Sequence, residues 1–313
     1  MRWKLFREYM RILDIVWPLI RDVFPARKPG AGRPPKPMRQ VINTILYVLY
    51  TGCQWNAVFE DKGDRLCNGK TAHRYHMIWS RSDFYLKLNR RLLLIFDRFF
   101  GLEVNWLALD GCTYKAPLAL QAVGKNPTDR AKNGTKRSML VDEHGLVLSF
   151  VHSGANVHDS QLLEPTLVNR MYKRQNSGVS NENLCLDAAY VGDICRETVT
   201  RHGYIPHIQP RGEEKKILIR TPDYKARRWV VERTNSWMLQ FRKLKTRYEK
   251  TIASHDGLTH IGCICIILRI IFRKKLNLNP WIVGESKPND GYYSSCCSVL
   301  IHKIYKDLLT IIT

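Results

Sequence analysis

At 313 residues, 44% hydrophobic and 25% charged, the chain has the composition of a globular protein and the length for two domains. Its 50 Lys and Arg against 28 Asp and Glu leave a net charge of +22, which repels itself unless it meets a polyanion, most commonly nucleic acid. A membrane surface would draw the same excess, so the charge names a class of partner and no activity.

Nine Cys, an odd number, include no Cys-x-x-Cys pair. Cys112, Cys185, Cys263 and Cys265 stand in apolar stretches, as small buried hydrophobes do, so structural zinc has little support and reduced thiols in a cytoplasmic protein are expected. Arg2, Lys4, Arg7, Glu8, Arg11 and Asp14 break up any signal-peptide core. The longest apolar run, Ile261 to Leu268, falls short of the roughly 20 residues that cross a bilayer, so a soluble protein with no membrane partner is expected.

Leu5, Tyr9, Ile12, Ile15, Val16 and Leu19 recur at helical spacing, with Pro18 set to kink or end that helix. The Pro- and Gly-rich loop Ala26 to Pro37 keeps Arg27, Lys28, Arg33 and Lys36 basic. Gly32-Arg33-Pro34 reads either as an arm placing Arg33 in a DNA minor groove or as a solvated linker. Met38 to Tyr50 reads as a helix with Val41, Ile45, Val48 and Leu49 inward, stopped by Gly52. Thr71 is expected to cap a short helix to Trp79, and Ser82 a longer one burying Leu88, Leu92, Ile95, Phe96 and Phe99. This is the order of a helix-turn-helix module, with His73, Arg74 and His76 facing a groove; three packed helices need no DNA, and the global charge is what favours it.

From Trp106 the period changes to strand. Leu107 to Thr113 is an apolar run of central-strand type interrupted by Asp110. Lys115 to Arg137 is too polar to bury and reads as a functional loop. A hairpin joins Ser138–Asp142 to Leu146–His152 through Glu143-His144-Gly145. A helix from Asp159, a strand carrying Asp187, a helix Gly192–His202 and a strand Tyr204–Gln209 follow, giving an α/β order that fits a ribonuclease H-like mixed sheet with flanking helices. A last helix is expected from Tyr224 to Lys250.

Asp110 and Asp187 both interrupt apolar strands, where an unpaired charge costs several kcal/mol by the usual estimate and needs compensation. Glu232 stands in a segment loaded with Arg, which keeps it ionised. Three carboxylates on separate elements repel unless a divalent cation neutralises them. Held so, two such ions about 3.5 to 4 Å apart would activate a water or 3′-hydroxyl and stabilise the leaving oxygen of a phosphodiester. His158-Asp159 also lies in reach of such a site, though a helix cap by Asp159 is a sufficient account. Trp229 and Trp237, eight apart, serve either base stacking or core packing.

Asp110-Gly111, the stretch Gly124 to Arg130, Gly134 to Arg137, Gly154 to Ser160, Asp187 to Tyr190 and Arg227 to Arg233 together resemble bacterial DDE transposases of the insertion sequence five family, from about Gly32 to Phe272. The resemblance implies a ribonuclease H-like domain that cuts and joins DNA at element ends with Mg²⁺, or Mn²⁺ in its place. It makes Asp110, Asp187 and Glu232 the catalytic and metal-binding triad. Of a Tyr, Arg, Glu, Lys signature on the last helix, Arg228 precedes Glu232 as expected, Tyr224 is one residue off, and Leu239 stands where Lys belongs, leaving Arg242, Lys243 or Lys245 to replace it. The expected partners are terminal inverted repeats and target DNA, bound by a homodimer in the bacterial cytoplasm at the nucleoid. Arg33, Arg74, Lys115, Lys125, Arg130, Lys136, Arg137, Arg228, Arg242 and Lys243 are the expected DNA contacts, the basic loop and the Arg242–Arg247 run forming a backbone track. The division expected is a helical DNA-binding domain at 1–100, a catalytic domain at 101–275 and an atypical tail at 276–313. A non-catalytic DNA-binding descendant and a metal-dependent nuclease without strand transfer are the alternatives.

Overall fold

The computed structural model describes residues 10, 13–14, 16–25, 36–63, 65–172, 182–208 and 228–276. Arg33 with its basic loop, Tyr224 and the tail beyond 276 lie outside the described residues.

Helix α1 (Met38–Thr51) buries Val41, Ile45, Val48 and Leu49 and ends at Gly52, whose φ of +72° is the left-handed stop expected there. Helix α2 (Gly69–Ser80) starts earlier than Thr71 would allow, because Asn68 supplies the cap, its side-chain oxygen accepting from the Lys70 amide at 3.0 Å. Helix α3 (Phe84–Phe100) follows Asp83 rather than Ser82, whose hydroxyl donates instead to the Trp79 carbonyl at 3.1 Å. Its Leu88, Leu92, Ile95 and Phe96 are buried as expected.

The sheet comprises β1 (Trp106–Lys115), β2 (Gly124–Lys125), β3 (Asn133–Val141), β4 (Val147–Gly154), β5 (Glu182–Leu186) and β6 (Tyr204–Ile208). Its order is β4-β3-β1-β5-β6, with the two-residue β2 beside the start of β3. β4 and β1 flank β3 antiparallel; β5 lies parallel to β1, and β6 parallel to β5. Helix α4 (Asp159–Val168) leads to β5, and α5 (Asp193–Arg201) crosses from β5 to β6. This is the ribonuclease H-like arrangement read from the sequence, three antiparallel strands feeding a parallel pair. One boundary differs with consequence: β3 begins at Asn133, so Gly134 to Arg137 belong to a strand with neighbours on both sides and not to the basic loop.

The single helix expected from Tyr224 to Lys250 is broken in the described part. α6 (Trp229–Gln240) ends at Phe241, which is extended and buried, and the one-turn α7 (Arg242–Lys245) follows. The chain then returns to β1, where the Arg247 amide donates to the Lys115 carbonyl at 2.8 Å. Helix α8 (Ile252–Leu276) is apolar on most of its surface. Its Ile252–Ile271 stretch, mean hydropathy 1.3, is long enough to cross a bilayer, but 83% of it is buried inside the fold, as befits a core helix. Two polar pairs pin this helix to the sheet: a buried one of Tyr114 Oη with His255 Nε2 at 2.7 Å, and a part-buried one of His152 Nδ1 with Asp256 at 2.6 Å. Helices α1 to α3 share one continuous hydrophobic core with the strands and α8, so the change of class near residue 100 is not a gap in packing.

Candidate active site

Side chains alternate between the faces of a strand. On β3, Arg137 reaches Asn235 of α6 at 3.2 Å, whereas Lys136 and Ser138 meet Asp159 and Thr166 of α4, so α6 and α4 cover opposite faces. Asp110 stands opposite Met139 in the β1–β3 register and therefore faces the α6 side. The parallel register sets Ala108 beside Cys185; two residues further along, Asp110 comes level with Asp187, one residue beyond β5. There Asp187 caps a short turn, Ala188–Tyr190, its Oδ1 accepting from the Ala189 amide at 2.8 Å. Glu232 is on α6, which packs on β1 and β3.

The electrostatics join these groups. Burial pushes the Asp110 carboxyl up to about 7; the Gly111 amide, donating to Oδ1 at 2.7 Å, opposes that rise, and the charges of Asp187, Asp159 and Glu232 add to it. A carboxyl buried among acids with one hydrogen bond is under-compensated, and a cation is what would reverse the shift. Glu232 is more than half exposed, and Arg228 Nη2 donates to its Oε1 at 3.2 Å, an i,i+4 pair worth only about 0.2–0.5 kcal/mol. Among the described residues no three His, Cys, Asp or Glu side chains stand close enough to cage a metal ion. The acids share a neighbourhood but do not close on one point.

The donor chemistry nonetheless suits a hard divalent ion. The ionisable groups there are carboxylates, and Cys112, on the Asp110 face, is no anionic competitor because burial pushes its thiol pKa up. Asp159 Oδ1 is buried with no hydrogen-bond partner among the described residues. Asp159 is not the cap the sequence suggested: His158 Nδ1 takes that role, accepting from the Ser160 amide, while Asp159 Oδ2 binds Lys136 Nζ at 3.0 Å.

The cations expected on DNA divide by burial. Arg74, Lys115, Lys125, Arg130 and Arg242 are exposed; Lys115 sits 3.7 Å from Asp129 and Arg74 lies over the Tyr75 ring. Lys136, Arg137 and Lys243 are corrected. Lys136 also donates to the Val157 carbonyl, Arg137 is fully buried beneath Tyr114, and Lys243 is buried against Glu249 at 3.3 Å. Lys136 and Lys243 pair their charges internally, and Arg137, held by Asn235, is sealed from solvent, which leaves none of the three for a phosphate. Arg228 is half-buried at the start of α6 and serves Glu232. His76 is corrected as well: it does not face a groove but is fully buried, with Nδ1 on Tyr85 Oη at 2.8 Å and Nε2 on the Ser254 carbonyl at 3.1 Å. Trp229 and Trp237 hold the Arg233 guanidinium between them at 4.4 and 4.6 Å, with Trp229 half exposed.

The acid triad, Arg74 and the exposed loop cations were marked by their residue types and settings. Asp159, Lys136 and Tyr190 were missed as a group. Lys136 leading into an apolar strand was the available signal, since a lysine so placed has to find an internal anion.

Comparison with known proteins identifies the family. The family description "Transposase DDE domain" matches residues 106–268, just over half of the chain, and "Putative transposase of IS4/5 family" matches residues 12–89. A "Putative transposase for insertion sequence element IS402" of Burkholderia cepacia is 33% identical over 151 residues, covering 46% of this chain and 67% of the relative. An "Insertion element IS402 uncharacterized 16.2 kDa protein" of the same organism is 29% identical over 119 residues, 36% of this chain and 79% of that one. A Mos1 transpososome captured before cleavage aligns over 72% of this chain and 83% of its own at 10% identity and a TM-score of 0.23, too loose to carry any argument. On the match that spans both strand aspartates and the α6 glutamate, the chain belongs to the transposase DDE domain family.

Proposed function

We propose that the protein is a DNA transposase that cuts at element ends and transfers the freed 3′-hydroxyl strand into target DNA. The observation that carries this is the placing of Asp110 on β1 level with Asp187, one residue past the parallel β5, on the sheet face covered by the helix that bears Glu232. Asp110 and Asp187 would hold Mg²⁺, with Mn²⁺ as a substitute. When bound, the ion supplies Lewis-acid stabilisation of the phosphodiester oxygens. Glu232, paired among the described residues with Arg228, can exchange that partner for the site once phosphate competes for the guanidinium.

The chain's own residues supply orientation. Gly111 fixes one Asp110 oxygen, and the Ala188–Tyr190 turn fixes one of Asp187. Exposed Lys115, Lys125, Arg130 and Arg242 would neutralise DNA phosphates, and the helical segment before residue 100, with Arg74 outward, would recognise the end repeat. The working unit is read as a homodimer on DNA in the bacterial cytoplasm, because two ends must be brought together.

The test is a labelled element end with Mg²⁺ and purified protein. Nicking followed by joined product is expected. Binding without nicking would leave a DNA-binding protein, and nicking without joining a nuclease. Asp110→Asn, Asp187→Asn and Glu232→Gln should each abolish cleavage while retaining DNA binding; full activity in any one removes that residue from the triad.

A further inference from the structure

Behind Gly111, on the face opposite Asp110, lies a polar knot for which the chemistry above has no use. A Cβ on Gly111 would stand 2.1 Å from Asp159 Oδ1, so that carboxylate packs directly on the backbone of the residue whose amide holds Asp110. Lys136 clamps it through Oδ2 at 3.0 Å, and Lys136 is itself tied to the Val157 carbonyl at 2.8 Å. Helix α4, which Asp159 opens, packs against the Ala188–Tyr190 turn that follows Asp187. Tyr190 is fully buried, and its hydroxyl lies beside that of Ser138, which accepts from Thr166 at 2.8 Å and keeps its own proton to donate. Burial pushes the pKa of that phenol up, and the charges of Asp159, Asp110 and Asp187 add to the rise. Asp159 Oδ1, a buried acceptor without a hydrogen-bond partner among the described residues, and the buried Tyr190 phenol thus both lie close enough to the two aspartates to feel their charges.

We propose that Asp159, clamped by Lys136, is a positioning residue that sets the spacing of Asp110 and Asp187 from the far side of the sheet, with Tyr190, on the turn against which α4 packs, as the link to the second segment. It touches neither DNA nor the reacting atoms; it fixes where the β1 aspartate and the turn aspartate stand, and through them the affinity of the site for its divalent ion. This rests on the transposase reading, because it takes Asp110 and Asp187 as the ligands.

Calorimetric titration of Mn²⁺ into the full-length protein, without DNA, tests it. Removing Asp159 alone would strand a buried Lys136, so the pair is replaced together, Lys136→Met with Asp159→Asn, which leaves no orphaned charge. The pair carries no net charge, so long-range electrostatics predict little change, whereas lost positioning should weaken Mn²⁺ binding by about tenfold, the scale of outer-shell substitutions at metal sites. Tyr190→Phe, which keeps the ring and removes only the hydroxyl, should weaken binding severalfold. Wild-type affinity in both variants would overturn the proposal. Asp110→Asn is the control: if it loses Mn²⁺ while the other two do not, only the positioning role fails, and if it also binds normally, the metal-site reading itself fails.

Discussion

His76 offers a sharp test of the architecture, because sequence reasoning turns it toward DNA and the structure seals it inside. On α2, it is fully buried against Tyr85 and Ser254, and burial drives its pKa from 6.5 down to about 4, with the Glu249 charge the main opposing influence. A histidine depressed in the folded state stabilises the protein fully above its unfolded pKa, and that contribution is lost as pH falls from about 6.5 to about 4. A shift of this size corresponds to about 3 kcal/mol. His76→Gln removes the proton site while keeping a donor and an acceptor; the imperfect match to Tyr85 costs about 1 kcal/mol at every pH. Urea unfolding from pH 7 to pH 4 should therefore show the wild type losing about 3 kcal/mol more than the variant, at about 1.4 kcal/mol per pH unit midway. His152, His255 and His260 are also depressed by burial, but they are common to both proteins and cancel in the difference. Parallel stability curves, combined with weakened DNA binding in the variant, would refute the buried placement and restore a groove-facing histidine.

Three further outcomes are expected. Lys125→Ala and Arg130→Ala should each lower the slope of log K against log salt for DNA binding by about 0.9 per lost phosphate contact, while Arg137→Met, sealed beneath Tyr114, should leave the slope unchanged; a slope change at Arg137 would contradict its burial. Arg74→Ala should weaken binding to a specific element end more than to random duplex, and equal affinity for that end would remove α2 from recognition. Gly145→Ala forces a side chain into a φ of +86° with its Cβ 2.5 Å from Thr234 Oγ1, and should cost about 1–3 kcal/mol by thermal unfolding; an unchanged melting temperature would show that the hairpin is not docked on α6.

Much of the site was legible because a lone acid in an apolar strand is costly and therefore conspicuous: Asp110 after Leu107-Ala108-Leu109, Asp187 after Leu184-Cys185-Leu186. Period-2 runs and the Glu143-His144-Gly145 turn likewise disclosed β3, β4 and their hairpin. Local pattern could not show which cations face solvent. Lys125 and Lys136 sit in equally polar neighbourhoods, yet one is exposed and the other lies on a strand with partners on both edges. Nor could it show that Phe241 breaks the last helix, since that turn is imposed by a buried ring and by the return of Arg247 to β1. Short-range periodicity and the cost of isolated charge belong to the chain itself, so strand, helix and acid positions could be read from residue order. Burial, ion pairing and the spacing of Asp110 from Asp187 arise from contacts between residues far apart along the chain, and only the packed sheet, with α4 and α6 on its two faces, decides them.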